Sequence, residues 1–96
     1  MVTRDGLPLV SELPASVNTE TFAAMTATMM GAADTAASQV TDQTARRIEV
    51  RYEGWLLCTY GAGPDVILVV LARDDVDAEA LDKAALDLAD EIRAVF

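Results

Sequence analysis

The stretch Arg46–Ala72 constrains the fold more than any other part of this chain. It holds three runs with strand character, joined by two short connections. In the first run, Arg46–Tyr52, residues alternate between a mainly apolar side and a charged side, which is typical of a strand with one buried face. The second run is Trp55–Tyr60. The third, Val66–Ala72, is seven consecutive apolar residues and therefore indicates a strand buried on both faces. Such a meander needs helices to cover it.

The chain before the meander begins with a hairpin signal. Asp5 and Gly6 separate the extended segments 1–4 and 7–10, and Asp-Gly is typical of a two-residue hairpin turn. Pro8 has no N–H to donate to a ladder. The second arm of the hairpin is therefore expected to form an edge strand.

Two segments have helical periodicity. One helix is predicted over about residues 18–40, capped by Ser16 or Asn18, and a second over about residues 77–95. The predicted order is β-β-α-β-β-β-α, which makes residues 1–96 a single α+β domain.

The first helix has two contrasting faces. Its predicted core face consists of Phe22, Met25, Met29, Ala33, Ala36 and Val40. The opposite face carries mostly small residues, and its candidate contact positions are Ala24, Ala27, Gly31 and Thr35. Gly31 costs a helix about 1 kcal/mol relative to alanine. A helix–helix contact or a partner groove is therefore favoured over a plain alanine-rich surface. On the second helix, the predicted core face consists of Leu81, Ala85, Leu88, Ile92 and Val95.

The charge of the chain limits its partners. Sixteen acidic residues against seven basic ones give a net charge of −9, which repels nucleic acids and anionic membranes. The single cysteine, Cys58, cannot form an internal disulfide and suits a reducing compartment. No signal peptide follows Met1, so the expected location is the cytoplasm.

No residue pattern predicts catalysis. The chain has no histidine, which removes the commonest general base and metal ligand. Cys58 is expected to be a small core residue. The segment Gly61–Pro64 could hold an anion with its backbone N–H groups, but a β-turn between two strands is the preferred interpretation. Asp74, Asp75 and Asp77 resemble a cation site, but roles in a turn and in helix capping are preferred. No catalytic residue, metal or cofactor is therefore expected, and the chain is predicted not to be an enzyme.

Three segments resemble the Roadblock/dynein light chain family, especially its prokaryotic small-GTPase regulators. They are the hairpin VTRDGLPLVS at 2–11, the alanine-rich helix around 20–33 and the turn Gly61–Pro64 before an apolar strand. The resemblance implies a five-stranded antiparallel sheet in the order 2-1-5-4-3 with helices on both faces. It also implies a homodimer joined through the third strand and a small Ras-like GTPase as partner. The usual N-terminal helix is expected to be lacking, since Met1 falls in the first predicted strand.

The alternating third strand predicts a specific dimer. If it pairs antiparallel with its copy about a two-fold axis at Val50, Glu49 faces Arg51, Arg47 faces Glu53, and Ile48 faces Tyr52, with every charge pair favourable. A register centred on Glu49 would instead oppose two arginines. The alternative is that the alternating charges only make the exposed edge of this strand soluble and have no role in pairing. The predicted dimer interface is therefore Arg47, Ile48, Glu49, Val50, Arg51, Tyr52 and Glu53.

Two functions follow from this interpretation. The first is a non-enzymatic homodimeric regulator or scaffold that binds a small Ras-like GTPase and modulates its GTP hydrolysis. The alternative is a structural dimerisation module that assembles larger complexes without contacting a GTPase.

Overall fold

The computed structural model describes residues 1–10 and 12–95. These residues form one antiparallel sheet of four strands together with two helices. In chain order the elements are β1 (Val2–Thr3), α1 (Thr19–Ala37), β2 (Arg47–Tyr52), β3 (Trp55–Gly61), β4 (Val66–Arg73) and α2 (Ala78–Val95). The strands lie in the order β1-β4-β3-β2. Consequently β2 forms one edge of the sheet.

The predicted five-stranded sheet in the order 2-1-5-4-3 is wrong, because the described residues form four strands in the order β1-β4-β3-β2. The segment Leu7–Val10 does not become the fifth. Leu9 donates its N–H to the carbonyl of Met1 over 3.0 Å, but the segment pairs with β1 only through an isolated bridge between Val2 and Pro8. The hydrogen bonds beside this bridge come from the N–H groups of Thr3 and Leu9, so Pro8 directs its nitrogen away from β1, where no donor is needed. Ser11, which ends the first segment of the resemblance, lies outside the described residues.

The turn before this segment also differs from the prediction. Thr3 donates its N–H to the carbonyl of Leu7 over 2.8 Å, which leaves the three-residue loop Arg4–Gly6 instead of a two-residue one. Gly6 has a φ of 91°, as expected for a left-handed glycine after a type I turn. A Cβ on Gly6 would lie 3.1 Å from the Cα of Ala24. Close packing against α1 therefore adds a second reason for glycine at this position.

Capping side chains define the start of each helix. Asn18 accepts a hydrogen bond from the N–H of Thr21 over 3.0 Å and so caps α1. Asp77 accepts from the N–H groups of Glu79 and Ala80 over 3.1 and 3.2 Å and caps α2. Both caps satisfy N–H groups that have no partner within the helix.

The two helices contact different sets of sheet residues. The larger core cluster joins α2 to β3 and β4 through Leu56, Cys58, Tyr60, Ala62, Val66, Leu68, Ala85, Ala89 and Ile92. The smaller cluster joins α1 to β1 and β4 through Val2, Ala23, Ala27, Met30 and Ile67. Since Ile67 and Leu68 are neighbours in β4, their side chains point to opposite faces of the sheet.

The predicted core face of α1 is wrong. Met25 is 58% exposed and Val40 is 88% exposed. The buried positions, which follow helical spacing, are Ala23, Thr26, Ala27 and Met30. Alanine and threonine at three of these four positions make the buried face hard to distinguish by hydrophobicity from the rest of an alanine-rich helix.

Candidate functional site

The free edge of β2 is the candidate functional site. On one side β2 pairs with β3 along its whole length, from Arg47 opposite Tyr60 to Tyr52 opposite Trp55. On its other side the described residues provide no strand. An exposed strand edge presents unpaired backbone N–H and C=O groups, which favour association with a further strand.

One hydrogen bond establishes which backbone groups are free. Gly61 donates its N–H to the carbonyl of Arg46 over 3.1 Å. Bonded and non-bonded pairs alternate along an antiparallel ladder. Ile48 and Val50 therefore direct their backbone groups towards β3. Residues 47, 49 and 51 direct theirs away from the sheet, where they are available to another strand.

The side chains of these three residues form a charged row. Arg47 donates from Nη2 to Oε1 of Glu49 over 2.8 Å, and Arg51 donates from Nε to Oε2 over 3.2 Å. The hydrogen bond from Arg47 is the main cause that lowers the pKa of Glu49 below its ordinary value. Glu49 therefore stays ionised between two arginines, and the row presents alternating charges along the free edge.

A second set of contacts attaches this row to α2. Arg47 donates from Nε to Oδ1 of Asp82 over 2.7 Å, and the hydroxyl of Tyr60 donates to the same oxygen over 2.8 Å. The guanidinium carbon of Arg47 lies 5.9 Å from the centre of the Tyr60 ring. Burial and the bond to Asp82 raise the pKa of Tyr60, so its hydroxyl remains a donor at neutral pH.

Sequence reasoning misses Asp82 and Tyr60 as parts of this site. The helical pattern predicts Asp82 on the solvated face of the second helix, and Tyr60 is simply one residue of an apolar run. The contacts join residues 35 and 22 positions apart along the chain. No local spacing rule could have revealed them.

The rest of the predicted dimer interface lies on the other face of β2 or beyond it. Ile48 and Val50 are half-buried, and Ile48 packs against the α1 cluster. Tyr52 is 53% exposed. Glu53 lies in the turn after β2, so its pairing with Arg47 of a second copy would fall outside regular strand structure. The interface itself stays a prediction.

The predicted contact positions of α1 separate into two pairs. Ala24 lies against the loop glycine Gly6, and Ala27 is buried in the core. Gly31 and Thr35 are exposed, and the Thr35 hydroxyl donates to the Gly31 carbonyl over 3.0 Å. Only these two positions are available to a partner, and their role in binding stays a prediction.

The other residues considered for chemistry have structural roles. Cys58 is buried, and Asp74 accepts a hydrogen bond from the N–H of Gly54 over 3.0 Å. Within residues 1–10 and 12–95, no three His, Cys, Asp or Glu side chains lie close enough together to hold a metal ion. No helix over the same residues is long and apolar enough to cross a membrane.

Sequence and fold together identify the family of this chain. The profile described as Roadblock/LC7 domain matches residues 1–72, and the chain therefore belongs to the Roadblock/LC7 family. The resemblance noted in the sequence is thus confirmed. The chain is also 34% identical over 98 residues to the protein MJ0310 of Methanocaldococcus jannaschii, covering 100% of this chain and 83% of that protein.

Solved structures have the same fold. A Roadblock/LC7 domain from Streptomyces avermitilis superposes with a TM-score of 0.86 at 25% identity, covering 98% of this chain and 79% of that one. A structure of MglB with a tetrameric arrangement gives a TM-score of 0.84 at 15% identity, covering 98% and 72% of the two chains. The gliding protein MglB of Thermus thermophilus gives a TM-score of 0.76 at 19% identity, covering 96% and 70%.

The contact between Tyr60 and Asp82 can be tested by removing one hydroxyl. Tyr60→Phe is expected to lower the free energy of unfolding by about 1 kcal/mol, because the partly exposed Asp82 loses one of its two donors. Tyr52→Phe is the matched control, since it removes the same group from a ring that is 53% exposed. Urea denaturation of both variants gives the comparison. Equal stability of the two variants would mean that the hydroxyl of Tyr60 does not stabilise the attachment of β2 to α2.

Proposed function

We propose that the chain acts in the cytoplasm as a homodimer, joined through its β2 edges, that serves as a non-enzymatic regulator or scaffold for a small Ras-like GTPase. The free edge of β2, with its row of Arg47, Glu49 and Arg51, is the observation that supports the proposed dimer. Membership of the Roadblock/LC7 family supports the choice of partner, because GTPase regulation is what the family resemblance implies.

Backbone geometry restricts the possible dimer registers. Residues of odd number direct their N–H and C=O groups outward, so an antiparallel copy must place odd residues opposite odd residues. Two-fold axes at Glu49, Val50 and Arg51 all meet this condition. The choice between them therefore depends on the side chains that face each other.

Charge favours the axis at Val50 over the one at Glu49. With the axis at Val50, Glu49 lies opposite Arg51 of the partner subunit, and the same pair occurs twice by symmetry. With the axis at Glu49, the two Glu49 carboxylates face each other and Arg47 lies opposite Arg51. Opposite charges across strands are favourable and like charges are not. The Val50 register also extends the charged row that Glu49 already forms within one chain.

Reversing the charge of one residue distinguishes these two registers. Arg51→Glu is expected to raise the dimer Kd about tenfold, because the new carboxylate would face Glu49 of the partner subunit. The Arg51 side chain is 60% exposed, so the effect on monomer folding should be small. Adding Glu49→Arg restores opposite charges across the axis and is expected to recover most of the affinity. Sedimentation equilibrium of each variant gives the Kd.

Lys83→Glu serves as the control for this experiment, since it makes the same change in net charge on the exposed surface of α2. It is expected to leave the Kd unchanged. A tighter dimer with Arg51→Glu would favour the Glu49 register, in which the new carboxylate faces Arg47. A Kd that no variant changes would contradict dimerisation through β2.

A dimer of this kind would bring the two α1 helices to the same face of the joined sheet. A two-fold axis perpendicular to a sheet keeps equivalent helices on one side. The exposed positions Gly31 and Thr35 would then form part of the surface offered to the GTPase. Gly31 is suitable for a close approach, because an added Cβ would meet no atom within 4 Å in the single chain.

Substitution at Gly31 tests the GTPase partner. Gly31→Leu is expected to stabilise α1 by about 1 kcal/mol and yet to weaken binding to the Ras-like GTPases of the same genome, each loaded with a GTP analogue. Ala36→Leu, also exposed on α1, is the matched control and should leave binding unchanged. Binding is measured by calorimetry, and GTP hydrolysis is followed with and without the chain.

The outcomes separate the two functions. If Gly31→Leu weakens GTPase binding more than Ala36→Leu does, the result supports a GTPase regulator, whether or not GTP hydrolysis accelerates. A stable dimer that binds none of these GTPases would contradict the proposal and favour the structural dimerisation module.

A further inference from the structure

We draw no further inference here: the strongest candidate, the cavity of about 810 Å³ that Arg4, Arg46 and Arg93 line beside the turn Gly61–Pro64, carries none, because Asp34 and Asp90 already pair with two of these arginines and nothing in the structure shows what would occupy it.

Discussion

The backbone ladder between β3 and β4 is the constraint on which the rest of the structure depends. These two strands form the centre of the sheet. Their hydrogen bonds determine which residues of β3 and β4 direct backbone N–H and C=O groups towards the flanking strands. The sheet is antiparallel and contains four strands, and the edge of β2 is free within the described residues. Backbone groups that this ladder leaves unpaired are therefore the main unsatisfied interactions of the single chain.

The free edge of β2 has a chemistry that suits pairing with a second copy of the chain. At β2 the free backbone groups are accompanied by Arg47, Glu49 and Arg51, which are self-complementary in an antiparallel pair. The contact of Arg47 with Asp82 holds this end of the row against α2.

The sequence predicts parts of this structure and misses others for physical reasons. The three strands of the meander have distinct patterns, because alternation and a continuous apolar run are strong signals. The predicted fifth strand is reduced to one bridge between Val2 and Pro8, and the hairpin signal at Asp5-Gly6 does not indicate how far pairing continues beyond the turn. The prediction of the buried face of α1 is wrong because its core positions are small, such as Ala23 and Ala27. Contacts of Asp82 with Arg47 and Tyr60 depend on how α2 packs on the sheet, which no local pattern contains.

The central claim is that the chain associates through β2, and amide hydrogen exchange across a range of protein concentrations tests it most directly. In a β2 dimer, the N–H groups of Glu49 and Arg51 bond to the partner subunit, whereas those of Ile48 and Val50 bond to β3. The account predicts that Glu49 and Arg51 are protected at high concentration and lose protection on dilution, while Ile48 and Val50 stay protected throughout. Fast exchange of Glu49 and Arg51 at every concentration, in a chain that sediments as a dimer, would contradict it.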